Sequence, residues 1–273
     1  MRRAGRCAAR HFCCPICTLM LLLVTLTSCQ HRATDSDRVR QVRIAAASDL
    51  QFALGELIEQ FEREHPDTRL RASYGSSGKF FTQLTQQAPF DIYFSADITY
   101  PQRLIDRQLA EEDSQLRYAV GHLVLWGPPD SPIDLQEQGI AALLDPRVGR
   151  IAMANPRHAP YGRAALVALK NLDVYEQVQK RLVYGDNIAQ AAQYVQSRAA
   201  DVGILARSLA QSPAMQSGTR WELPPDSYPL IEQSCVIMNG AVERRVAKQF
   251  CDFVASARGR ETLQRHGFTV PEE

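Results

Sequence analysis

The sequence predicts an α/β chain built as two doubly wound lobes joined by crossing strands, with a ligand cleft between them. Three observations lead there. From Val42 onward, short apolar strands alternate with helical patterns. The alternation breaks at a longer extended segment, "YAVGHLVLWG" (118–127), and then restarts. A second extended segment, 231–238, closes the restarted block, so the chain crosses twice between two sheets. Each β-α-β series implies a mostly parallel sheet with helices on both faces. Ligands of open α/β sheets bind beyond the strand carboxyl ends, which for two facing lobes means the cleft.

The elements follow in order. "VRIAAAS" (42–48) is a short apolar run of buried-strand type. Leu50, Ala53, Leu54, Leu57, Ile58 and Phe61 then recur at helical spacing. "RLRASY" (69–74) is the next strand, followed by a short helix with Phe80, Phe81 and Leu84 inward. "FDIYFSA" (90–96) is a third strand and 99–109 a third helix. After 118–127 come helix 134–144, strand 150–154, helix 161–172, strand 181–184, helix 187–198 and strand 201–206. Strand 231–238 and helices 241–256 and 258–266 end the chain. Lobe 1 is then 42–121 with 232–273, and lobe 2 is 122–231. Pro and Gly clusters at 127–132 and 224–229 mark loops.

The N-terminus has a different character. A basic stretch with four arginines precedes the apolar "LMLLLVTLT", too short to span a bilayer comfortably. Residues 1–29 therefore read as a secretory signal peptide. It ends in Leu26-Thr27-Ser28-Cys29, which resembles a bacterial lipobox. That resemblance implies cleavage before Cys29 and a lipid on its thiol; signal cleavage nearby without a lipid is the alternative. Residues 30–41 are polar and form a flexible tether.

Five of the seven cysteines lie in this leader, so Cys13-Cys14-Pro15-Ile16-Cys17 is not a metal site. Cys235 and Cys251 remain in the body, either as buried free thiols or, in an oxidising compartment, as a pair. The whole chain of 273 residues carries a net charge of +1, and no basic field or recognition motif favours nucleic acid.

"YGSSGKFF" (74–81) has the look of a phosphate cradle, yet a P-loop needs Gly where Ser73 stands and Ser or Thr where Phe80 stands. It is one of four strand-to-helix turns rich in polar donors. The others are Ser48-Asp49, Asn155 to Gly162, and Gly185-Asp186-Asn187-Ile188. Each is explicable alone as helix capping. Two fall in each lobe, where free N–H groups and positive helix ends face outward, and together they make an anion site without formal charge.

"AAASDLQFAL", "YGSSGKFFTQL", "PFDIYFSAD", "NPRHAPYGRAA", "DNIAQAAQYVQSRAADVGI" and "RHGF" follow one another across about 42–270. In this order they resemble the periplasmic molybdate-binding proteins of ABC importers. The resemblance implies a periplasmic binding protein type II-like fold and a dehydrated molybdate or tungstate held by hydroxyls and backbone amides. It also implies a monomer that needs no cofactor, serves an ABC permease of the inner membrane and stays in the periplasm; the lipobox-like end of the leader adds an anchor through lipid on Cys29.

Position by position, the resemblance assigns Ser48, Ser77, Tyr161 and the Ile188 N–H to the ligand. Ser76 and Asn187 are secondary candidates. Relatives place a Tyr soon after the "ADVGI" strand, where this chain has Ala206. Tyr161 is expected to supply the missing phenol, unless its ring only packs the hinge. Asp49 reads as a cap facing away from the anion, and Lys79 as a surface residue.

Neutral donors alone suit a dianion, whereas a protonated phosphate would leave its proton unpaired. Sulfate or phosphate binding on the same fold remains an alternative ligand reading. A serine hydrolase using Ser76 or Ser77 with His158 or His122 is the enzyme alternative, but "GSSG" is not a G-x-S-x-G elbow. No His, Cys and Asp cluster has metal-ligand spacing.

Overall fold

The computed structural model describes residues 39–271. The expected signal peptide, Cys29 and most of the tether lie outside the described residues. Two five-stranded sheets carry the fold. The first holds β1 (Arg40–Ala47), β2 (Thr68–Gly75), β3 (Ile92–Ser95), β4 (Leu116–Gly121) and the last strand, β10 (Ile231–Ile237), in the order β2-β1-β3-β10-β4. The second holds β5 (Leu123–Gly127), β6 (Ile151–Ala154), β7 (Leu182–Gly185), β8 (Val202–Ala206) and β9 (Thr219–Glu222), in the order β7-β6-β8-β5-β9. In each sheet three strands run parallel, and a strand arriving from the other side of the molecule inserts antiparallel. This is the two-lobed α/β architecture that the sequence predicts.

Several expected elements differ in detail. The segment 118–127 is two strands in different sheets, separated by His122 alone. Tyr118 and Ala119 before that step and Leu123 to Trp126 after it are buried, so hydrophobicity carries no mark of the change of sheet. β1 begins at Arg40, two residues inside the segment expected as tether. The helix over 134–144 is a single α turn, α4 (Leu135–Gln138), and then a 3-10 stretch, Gly139–Leu144. Gly139 has φ +55, a left-handed backbone that ends a helix and that glycine adopts without steric cost. Short elements escape the periodicity: α6 (Tyr175–Val178), α8 (Arg207–Ala210) and β9.

The remaining helices are α1 (Gln51–Glu64), α2 (Ser77–Thr85), α3 (Thr99–Asp106), α5 (Pro160–Asn171), α7 (Ile188–Gln196), α9 (Arg244–Ala255) and α10 (Ala257–Arg265). β1 shows how the first sheet takes helices on both faces. Ile44 and Ala46 pack with Leu54, Phe61 and Phe250, while Ala45 joins Phe81, Leu84 and Tyr93 on the other face. That is the period-two alternation of a pleated strand with both faces buried. Phe61 meets Phe250 edge to face, with ring centroids 5.3 Å apart. Cys235 and Cys251 are free and buried, with sulfurs 3.9 Å apart.

The C-terminal helix is tied to α1 by charge. Arg265 Nη2 and His266 Nε2 each donate to the Glu56 carboxylate at 2.8 Å. The Arg265 hydrogen bond first, then that from His266, holds the Glu56 carboxyl down to about 2. A depressed folded pKa adds stability above the ordinary glutamate range and loses it as pH falls toward the folded value. The site is a third exposed, so water and salt reduce its worth. Glu56→Gln is expected to lower unfolding free energy by no more than about 1 kcal/mol at pH 7. In denaturant melts the difference from the parent should shrink between pH 4.5 and 2.

Candidate functional site

Strand register brings the polar turns together. β1 and β2 end level, with Ala47 opposite Gly75. The turns that follow therefore set Ser48 beside Ser76 and Ser77. β6 and β7 also end level, Ala154 opposite Gly185, and open into the segments before α5 and α7. The four strand ends meet at one cavity lined by Ser48, Ser76, Ser77, Tyr161, Asn187 and Ile188 among others. It leaves ≈ 10 Å³ for the centre of a water-sized sphere, about what one water molecule needs.

A wider hollow lies elsewhere, ≈ 610 Å³ beside Glu111, Arg244, Lys248 and Asp252. Arg244 pairs there with Glu111 and Lys248 with Asp252. The smaller cavity is the candidate site, because the helix starts converge there.

Ser77 is the first residue of α2, Tyr161 the second of α5 behind Pro160, and Ile188 the first of α7. N–H groups at these positions have no partner within their own helix, and the helix dipole adds partial positive charge. Ser77 Oγ accepts from the Ala96 N–H at 3.0 Å, which leaves its own proton free to donate. Ser48 Oγ donates to Asn187 Oδ1 at 3.1 Å and accepts from the Ala189 N–H at 3.4 Å. Asn187 caps α7, its Oδ1 accepting from the Gln190 N–H at 3.0 Å. Ser76 Oγ donates to the His158 carbonyl at 2.6 Å, so its hydroxyl ties the lobes together.

Tyr161 differs from expectation. Its hydroxyl donates to Asp49 Oδ2 at 2.9 Å and accepts from Gln233 Nε2 at 3.1 Å. The phenol is thus engaged in the hinge, where a Cβ on Gly121 would fall 2.0 Å from its oxygen. Ala206 therefore gains no replacement phenol there, and the backbone N–H is what Tyr161 has to offer the cavity. Asp49, expected as an outward cap, is the centre of this network. Gln233 Nε2 donates to its Oδ2 at 2.6 Å, and the Ser208 hydroxyl donates to its carbonyl at 2.9 Å. Gln233 sits at a register shift in β10, which aims its side chain at the hinge. Gln233 and Ser208 carry no motif that sequence reasoning would catch.

The rest of the seam joins the lobes outside the cavity. Lys79 pairs with Asp186, and Arg163 with Asp97. No lysine or arginine lines the cavity.

The residues weighed for a hydrolase do approach. His158 Nδ1 lies 3.0 Å from Ser76 Oγ, and its Nε2 lies 3.7 Å from Asp186. The short bond of the Ser76 hydroxyl is to a backbone carbonyl, which is no general base. His122 stands at the crossing, 2.7 Å from Thr269 Oγ1, and burial followed by repulsion from Arg207 brings its ring down to about 4.

Fold and site together define a two-lobed binding protein with a cleft for a small solute. The chain belongs to the family of bacterial extracellular solute-binding proteins, which matches residues 42–269. It is 35% identical over 198 residues to the molybdate-binding protein ModA of Rhodobacter capsulatus, covering 72% of this chain and 76% of that protein. It is 31% identical to ModA of Azotobacter vinelandii, covering 84% and 89%. The solved periplasmic molybdate-binding protein of Azotobacter vinelandii superposes with a TM-score of 0.79 at 29% identity, covering 85% of this chain and all of that one. The sulfate-binding protein SubI of Mycobacterium tuberculosis, at 14% identity and a TM-score of 0.69 with coverage of 85% and 88%, shares the fold.

Closure depends on a bare glycine at the seam. The Gly78 N–H donates to the His158 carbonyl at 2.9 Å, and a Cβ at Gly78 would lie 2.5 Å from that oxygen. Gly78→Ala is expected to hold the lobes apart. Small-angle scattering should give a larger radius of gyration than for the parent, with the melting temperature nearly unchanged. An unaltered scattering profile would show that the seam absorbs a methyl group.

Proposed function

We propose that this protein binds molybdate, and tungstate of nearly the same size, and delivers it to an ABC permease of the inner membrane. One observation carries the reading: three helix starts and three serines surround one small cavity, with no cationic side chain in its lining. The names of the relatives point the same way. In this reading Ser77 donates its free hydroxyl proton, and Ser48 donates its own by turning it from Asn187 Oδ1 to the anion. Ser77, Tyr161 and Ile188 donate backbone N–H groups, while Ser76 and Asn187 shape the turns.

A dianion fits such a site because every contact is a donor, and charge-assisted hydrogen bonds are stronger than neutral ones. A protonated anion would leave its own O–H facing donors, which is costly in a buried site. Lobe 1 (42–121 with 232–273) and lobe 2 (122–231) are the bodies that close on the anion. The protein acts as a monomer, uses no cofactor, does no chemistry on its ligand and binds no nucleic acid. Lipid on Cys29 would tether it in the periplasm, as the lipoprotein name of a relative in Bacillus subtilis also suggests.

Calorimetric titration of the mature chain with molybdate, tungstate, sulfate and phosphate tests the ligand. Tight binding of the first two and weak binding of the others is expected; sulfate binding as tight as molybdate overturns the reading. Ser77→Ala should lose about 1.5–3 kcal/mol of molybdate binding, roughly tenfold to a hundredfold in Kd. Intact mass of membrane-extracted protein tests the tether, and an unmodified Cys29 refutes it.

A further inference from the structure

Asp49 is the only acidic residue lining the cavity, and its side chain is buried between the lobes. Its two carboxyl oxygens have different surroundings. Oδ2 accepts from Tyr161 Oη and from Gln233 Nε2. Oδ1 is buried and has no hydrogen-bond partner. No cation balances the charge.

The neighbouring elements bring almost only neutral groups to the carboxyl. The phenol of Tyr161 on α5 and the amide of Gln233 on β10 reach the carboxyl itself, while the Tyr118 phenol on β4 donates to Gln233 and the Ser208 hydroxyl on α8 donates to the Asp49 backbone carbonyl. α7 has no charged side chain. Arg207 of α8 donates to the Gly267 carbonyl and pairs with Glu222. Tyr74 and Arg71 of β2 are not among the groups that shift Asp49.

Tyr161 and Ser208 belong to the second lobe, so separation of the lobes takes the phenol from the Asp49 carboxyl and the serine hydroxyl from its backbone carbonyl. Closure therefore encloses a carboxyl that lacks a counter-ion and leaves one oxygen unpaired. An anion held by neighbouring Ser48 adds like charge nearby, which disfavours the ionised carboxyl further. The protonated carboxyl has a donor to place on the orphan oxygen.

We propose that Asp49 is a proton-linked positioning residue: its carboxyl takes up one proton as the lobes close on the anion, so anion binding is coupled to proton binding. This rests on the anion-binding reading. Burial raises the Asp49 carboxyl to about 6 before any anion is present, and the anion moves it higher. In the open form, without that burial, it returns toward the ordinary range. Binding then favours low pH. Affinity falls by up to about tenfold per pH unit between the open and closed values, and levels off above the closed one.

The test is calorimetric titration of the mature chain with molybdate, between pH 5.5 and 8.5, in paired buffers of different ionisation enthalpy. The parent should take up as much as one proton per anion near pH 6. Asp49→Asn should lose that buffer dependence and bind at pH 8 at least as tightly as the parent. Protonation of molybdate itself is common to both chains and drops out of the difference. Binding without proton uptake in the parent, or equal uptake in Asp49→Asn, overturns the proposal and leaves the anion-binding reading intact. An absence of binding in every chain and buffer overturns both. Tyr161→Phe keeps the carboxyl but removes a donor to Oδ2, so its pH profile should move upward; an unmoved profile also counts against the proposal, even where Asp49→Asn fails to fold.

Discussion

The first turn of an α-helix has backbone N–H groups that its own hydrogen-bond ladder cannot use. This fold collects three such turns at one cavity. The level strand ends make this possible, since β1 with β2 and β6 with β7 deliver their following turns side by side. The cavity is rich in donors because of how the helices start. It needs no lysine or arginine, and Lys79 and Arg163 serve the seam around it instead. A site of fixed dipoles discriminates by size and by acceptor count, whereas a flexible ammonium group would attract any anion.

The hinge answers a second constraint. Each lobe must close as a body while both chain crossings stay intact. Tyr118 on β4 donates to Gln233 on β10 at 2.8 Å, and Gln233 in turn reaches Asp49 and Tyr161. The two crossing strands and the facing helix are therefore linked through one buried carboxyl. A phenol and an amide can satisfy one oxygen of that carboxyl without fixing its charge. A paired cation would have locked it ionised. Ser76, Gly78 and His158 complete the seam at the cavity edge, close enough that no side chain fits at Gly78.

The alternation of strands and helices was legible because its periods are local, as at Leu54, Leu57 and Phe61. The polar turns were legible for a similar reason, since a run such as Gly75-Ser76-Ser77-Gly78 stands out between apolar segments. The same locality explains what was hidden. His122 separates strands of two sheets within a continuous buried stretch, and four-residue elements such as α8 and β9 have too few residues for a period to register.

By itself, the sequence determined the two-lobed α/β class and the four turns that meet at the cavity, because short-range periodicity and helix capping act within a few residues. The tertiary structure decided what each side chain does there. It turned the Tyr161 phenol toward Asp49, drew Ser76 to the His158 carbonyl, and left Ser77 Oγ with a proton to give. Those outcomes depend on partners 112, 82 and 19 residues away along the chain. Hydrogen-bond direction is set by whichever donor and acceptor the closed lobes bring within reach, and no local pattern encodes that choice.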